Sequence, residues 1–521
     1  MKNYFKYMAI LALGIVSCEP ELENSIEDAD FYSSGEADFS NYVALGNSLT
    51  AGYADGALYI SGQENSYPNI LAEKFAITQE TNGFTQPLVN DNIGGLLVGG
   101  SQIAKPRYVL SVGANGPVPG RLDATPTTEV TNKLEGPFNN MGVPGAKSYH
   151  LKAEGYGSIA GLQTDPPSSN AYFARFSTSE STTVLADAMA QNPTFFTLWI
   201  GNNDVLGYAT SGGTGTFQTN NTDVRSYGPN DITDPNAFAF FYSQIVEELA
   251  ANAEGVLLNI PDITTVPYFT TIPNNALALD AATAANLTGF FQAVAGVMTQ
   301  VLMQNPNVTP EQAQAIASQY AIQFNEGANR FLIDVPVTPT NPLGFRQMTE
   351  EELLLLPIDQ SALAQGYGSV VLTQEVGEVL AILQAGGQPS QQQVQTLFGA
   401  VSGINDEDAL DVEEIQNIRT ATTAYNQAIE SIATNFELGF VDANALVAKL
   451  DSEGIAYDGG VLTSAFVQGG AYSLDGIHQT PRGAAVIANA IIDEINERYG
   501  AEVPKANLGD YGTVTLEQNV Q

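Results

Sequence analysis

Short apolar runs closed by Gly or Pro alternate along this chain with stretches in which apolar residues recur every three or four positions. Tyr42-Val43-Ala44-Leu45, bounded by Gly46, predicts a buried strand that leads into a turn. Phe195 to Ile200, ended by Gly201, predicts a second strand, and Gly255 to Ile260, stopped by Pro261, a third. Leu438 to Val441 predicts a fourth. Between and after them, Ile415, Ile418, Thr422, Tyr425, Ile429 and Ile432 fall on one helical face. Ala484, Ala488, Ile491 and Ile495 do the same behind Pro481, a residue suited to a first helical turn. Strands alternating with helices predict an α/β fold, a three-layer α/β/α sandwich around a parallel central sheet.

Two stretches break this rhythm. Gly207 to Pro235 is rich in Gly, Thr, Asn and Ser and predicts a long loop. Residues from roughly 270 to 410 are rich in Ala, Gln and Leu and predict a large, mostly helical insertion. Within that block, Phe324 to Val335 predicts a further strand. The insertion reads equally well as a lid or small subdomain beside the site and as padding of the fold. No internal repeat of roughly 20–50 residues is present, which excludes a solenoid or propeller. One domain over 39–500 with this insertion, followed by a C-terminal tail over 501–521, accounts for the 521 residues.

The N-terminus changes the picture. Lys2 and Lys6 precede an apolar stretch from Met8 to Val16, so residues 1–17 read as an export signal. The stretch is too short to span a bilayer, which takes about 20 residues. It ends Ile15-Val16-Ser17-Cys18, which resembles the lipobox of bacterial lipoproteins. That resemblance implies acylation of Cys18 and anchoring of the mature chain through its acyl groups alone. Cys18 is also the single cysteine, so no intrachain disulfide forms. Glu19, Glu21, Glu23, Glu27, Asp28, Asp30, Glu36 and Asp38 follow with no basic residue among them, which predicts an extended acidic tether over 18–38. Acidic residues at this position resemble the sorting signals of surface-displayed outer-membrane lipoproteins, and any solvated linker has the same composition. The resemblance implies the cell envelope, at the outer membrane, and leaves a periplasmic or an outward-facing orientation open.

The whole chain carries 57 acidic and 18 basic residues. A surface of that sign repels phosphate backbones and excludes nucleic acid as a partner. The acidity serves solubility, and no EF-hand-like loop marks a calcium site.

In parallel α/β sheets, sites form at the C-terminal ends of strands. The first strand ends in Gly46-Asn47-Ser48-Leu49-Thr50, which places Ser48 where backbone N–H groups can stabilise an oxyanion. Serine there is also a common helix cap. A serine hydroxyl needs a base, and the chain has two histidines, His150 and His478. His478 follows Asp475 by three residues, so the carboxylate can fix its tautomer within a turn. His150 has no such neighbour and reads as structural or surface. Gly201-Asn202-Asn203-Asp204 offers an amide donor or an ordinary turn. Asn140 to Ala146 is either a Gly/Pro turn or a segment that brings a backbone N–H close to substrate, where a side chain at Gly145 would interfere.

Taken in order, Gly46 to Leu49, Asn140 to Gly145, Gly201 to Asp204 and Asp475 to His478 resemble the four motif blocks of the SGNH hydrolases, the GDSL-type lipases and esterases. The resemblance spans nearly the whole mature chain and implies a flavodoxin-like sandwich. It implies Ser48 as nucleophile, His478 as general base and Asp475 as the partner that orients it. Oxyanion donors would be the Ser48 N–H, the Gly145 N–H and the Asn203 side chain. No metal or organic cofactor is needed. The family's aspartate before the serine is Asn47 here, which alters a polar contact beside the nucleophile. Substrates implied are lipid esters, short-chain esters or acetylated glycans. A rival class is a non-catalytic glycan-binding surface lipoprotein on the same fold. The 22 Tyr and 24 Phe offer it stacking surfaces, although aromatics also fill cores.

Overall fold

A computed structural model describes residues 31–113 and 116–520. The export signal, Cys18 and the first part of the tether lie outside the described residues. Five strands form one sheet: β1 (Tyr42–Gly46), β2 (Asn140–Gly142), β3 (Phe195–Trp199), β4 (Glu254–Leu258) and β5 (Gly439–Val441). Every neighbouring pair is parallel, and the order across the sheet is β5-β4-β3-β1-β2. Read from the β2 edge this is 2-1-3-4-5, a doubly wound order whose switch point lies beside β1. All residues of β1 and β3 are buried, as continuous apolar strands covered on both faces require. The four strands legible in the sequence all form. β2 was not legible as a strand, because it is three residues long and offers only Met141 between Asn140 and Gly142.

Eight helices matter to the site and its surroundings: α1 (Ser48–Ala51), α2 (Tyr67–Thr78), α3 (Val184–Met189), α4 (Asn203–Thr210), α5 (Pro235–Ala250), α6 (Ala281–Met303), α7 (Val412–Asn435) and α8 (Pro481–Tyr499). α2 packs on α8, which lies against β4 and β5. α5 and α7 pack on each other and on β4, and α3 joins α5 and β1. Two helix groups on a parallel sheet are compatible with a three-layer sandwich. The six positions expected on the buried face of α7 are all buried. Its start is fixed by a capping box, in which Asp411 accepts from the Glu414 N–H and Glu414 accepts from the Asp411 N–H. α8 opens on Pro481 with the Thr480 hydroxyl accepting from the Gly483 N–H.

Three expectations change. The predicted loop after Gly207 is shorter, because α4 continues to Thr210. The segment after 500 is no free tail: Ala501, Val503, Ala506 and Leu508 are buried in the main core. Asn489 and Asn496 of α8 clasp the backbone of Ala506 and Val503 through paired hydrogen bonds. The insertion contains five α-helices among the described residues, and also four two-stranded antiparallel ladders. The strand expected over Phe324 to Val335 is two short strands, Gly327–Asn329 and Leu332–Asp334, in different ladders. No described helix is long and apolar enough to cross a membrane.

Candidate active site

The chain leaves β1 at Gly46 and enters α1 at Ser48. Gly46 admits no side chain, since a Cβ there would meet Thr50 Oγ1 at 2.1 Å and the Trp199 carbonyl oxygen at 2.5 Å. Asn47 caps α1 by accepting from the Leu49 N–H (3.0 Å) and donates from Nδ2 to Asn202 Oδ1 (3.0 Å). The departure at this position therefore gives a direct tie between the Ser48 turn and the loop after β3.

His478 comes from a turn between β5 and α8. Its Nε2 lies 2.8 Å from Ser48 Oγ, and its Nδ1 lies 2.8 Å from Asp475 Oδ2. The turn closes through Gly476 at φ +74°, where a Cβ would meet the Tyr268 nitrogen at 2.9 Å. Asp475 Oδ1 accepts from the Ile477 and His478 N–H groups, each at 2.9 Å, and from Ser473 Oγ at 3.1 Å. Burial opposes ionisation of Asp475, but the adjacent His478 ring and these hydrogen bonds outweigh it and hold the carboxyl well below its ordinary range. An ionised Asp475 accepts only, so the ring proton belongs on Nδ1 and Nε2 is left to accept from Ser48.

Asp55 and Gly56 carry a support that sequence reasoning missed. Both have left-handed backbone, at φ 52° and 71°. The Gly56 N–H donates to Asp475 Oδ2 (2.7 Å), and the Asp55 N–H donates to Ser473 Oγ (2.9 Å). The buried Asp55 carboxylate accepts from the Leu474 N–H (2.9 Å) and from the Tyr59 hydroxyl (2.8 Å). Burial is the main cause of its raised pKa. An Asp-Gly pair is a visible turn signal, but nothing local shows that it faces Asp475.

Of the expected oxyanion donors, the Ser48 N–H sits in the first turn of α1, where no intrahelical acceptor exists. The Gly145 N–H has no protein acceptor among the described residues. Val143 N–H donates to the Gly46 carbonyl oxygen (3.0 Å), which sets the Gly145 turn alongside the Ser48 loop. A Cβ at Gly145 would approach only Asn170 Nδ2, at 3.8 Å, so space on the protein side does not require glycine there; φ of +82° does. The Asn203 amide donates one proton to the Ala146 carbonyl oxygen (2.9 Å) and retains a second. Asn203 and Ser48 line one small cavity with His478.

His150 is not brought to this site. It stacks on Tyr156 with ring centroids 4.4 Å apart and accepts from the Lys147 N–H. Burial, with Lys147 beside it, pushes its pKa down to about 3. Among the described residues, no group of three His, Cys, Asp or Glu side chains is placed to hold a metal ion. A serine, an imidazole and an ionised carboxylate in this sequence of contacts can make the hydroxyl nucleophilic and return its proton to a leaving group. No protein-family model, curated protein or solved structure matches the chain.

Proposed function

We propose that the chain is an SGNH-type serine ester hydrolase, exported and held at the cell envelope by lipid on Cys18. The observation that carries the hydrolase reading is the unbroken contact from Ser48 Oγ through His478 to Asp475, 2.8 Å at each step. Ser48 attacks the ester carbonyl while His478 Nε2 takes its proton. The negative charge that develops on the carbonyl oxygen meets the Ser48 and Gly145 N–H groups and the Asn203 amide. Protonated His478 then donates to the departing alcohol oxygen as the C–O bond breaks, leaving an acyl group on Ser48. Water, deprotonated by His478, attacks that acyl carbon and restores the serine. Asp475 stays ionised throughout and stabilises the imidazolium.

The test uses residues 19–521 and their Ser48→Ala variant, with p-nitrophenyl acetate and a fluorophosphonate probe. Turnover and labelling that both fall at least about a thousandfold in the variant are expected. Equal turnover by the two proteins, or no labelling of the wild type, would reject the reading in favour of a glycan-binding lipoprotein.

A further inference from the structure

Resting on the hydrolase reading, we infer that the site takes short acyl groups, from acetyl to butyryl, in a small, largely apolar pocket beside Ser48. The cavity that touches Ser48, Asn203 and His478 has a volume of about 40 Å³. Its apolar lining comes largely from four places at the carboxyl side of the sheet. Leu49 is supplied by α1 and Leu206 by α4. Ile263 and Val266 follow β4, and Val447 sits on the helix Ala443–Ser452 that follows β5. Val447, Ile263 and Val266 are each at most 7% exposed, so that part of the wall is backed by protein, while Leu49 and Leu206 are half-buried.

Chemistry assigns this pocket to the acyl side. The acyl group stays bonded to Ser48 through both steps, whereas the alcohol must leave and water must take its place. The leaving-group side therefore has to stay open, while the acyl side can be closed. A single water needs about 10–15 Å³, so the pocket admits about three non-hydrogen atoms beyond the carbonyl. That is the tail of a butyryl group, and an octanoyl tail does not enter. A larger cavity, about 760 Å³, lies in the insertion between Leu277, Leu287, Phe331 and Leu363. It shares no lining residue with the small pocket, so it does not lengthen it.

The experiment measures kcat/KM of the chain 19–521 on p-nitrophenyl acetate, butyrate, hexanoate and octanoate, for wild type, Val447→Ala and Ile263→Ala. Wild type is expected to lose at least a hundredfold between butyrate and octanoate. Each variant is expected to raise the hexanoate-to-acetate ratio at least fivefold by opening the wall. Ser48-dependent turnover with octanoate equal to butyrate would overturn the proposal alone. So would an unchanged ratio in both variants, provided they unfold at the wild-type temperature; if they do not, the wild-type profile decides. Absence of Ser48-dependent turnover on every ester would overturn the hydrolase reading and this pocket with it.

Discussion

The sheet domain and the insertion bury their apolar residues in different ways. In the first, one continuous core runs from Phe39 and Phe75 through β1, β3 and β4 to α7 and α8. Phe39 stacks on Phe75 at 4.0 Å, and both meet Phe195 edge-on. In the insertion, two smaller clusters gather around Phe291 and around Ile333. The triad sits wholly on the first region. The insertion reaches the site's rim through Leu356, whose N–H binds the Tyr268 carbonyl oxygen while Tyr268 N–H binds that of Gly476. The contact of Ser48, His478 and Asp475 is set by segments anchored to one shared sheet, and a body with its own core can be attached beside it with few constraints.

The comparison breaks most severely if the carboxylate is not indispensable. Asp475→Asn should cut kcat by about 10³–10⁴-fold, since an amide nitrogen would face one of the N–H donors now bound and spoil the tautomer. Steady-state kinetics on a short ester check this. The same pair of proteins also carries a pH signature. Asp475 is held below its unfolded value, so its contribution to stability is complete above about pH 4 and is lost as pH falls through the folded pKa. Urea midpoints of the wild type should therefore fall below about pH 4 more steeply than those of Asp475→Asn.

A smaller effect is expected from Gly56→Ala, which tests whether the Asp55–Gly56 turn belongs to the reacting region. A Cβ there meets Arg121 Nη1 at 2.9 Å with the backbone at φ +71°. Displacing its N–H from Asp475 should lower kcat by about ten- to a hundredfold with KM within about twofold. A change in KM alone would show that the turn shapes the pocket instead.

The least effect on catalysis should come from the insertion's core. Phe291 is fully buried against Phe290, Phe324 and Phe345. Phe291→Ala should cost about 3–5 kcal/mol locally, read as faster amide exchange across α6 with slowed exchange retained in β1 and β3. Turnover of a short ester should stay within about twofold. A tenfold loss would show that the insertion positions the catalytic turn.

Much of this architecture was legible because it is written in local pattern. β1, β3, β4 and β5 are short apolar runs closed by Gly or Pro or set beside helical periodicity, and α7 and α8 repeat at helical spacing. Ser48, Asp475 and His478 could be paired because the chain has two histidines and one of them follows a carboxylate by three residues. Other parts had no local signature. β2 is a strand only because β1 offers it an edge, with Ala44, Leu45 and Gly46 paired to Asn140, Met141 and Gly142. The segment after Gly500 reads as a tail until the amides of Asn489 and Asn496 are seen to hold it.

By itself, then, the sequence determined the parallel sheet, its principal helices and the serine, histidine and aspartate that meet in the candidate site, since periodicity and residue chemistry act over a few neighbours. Only tertiary structure decided how those groups are supported and what fits beside them. Gly56 and Asp475 are 419 positions apart and meet at 2.7 Å. The pocket wall likewise draws Leu49, Leu206, Ile263 and Val447 from four separate elements. Contacts of that kind follow from how the strands are ordered in the sheet, and no local pattern encodes that order.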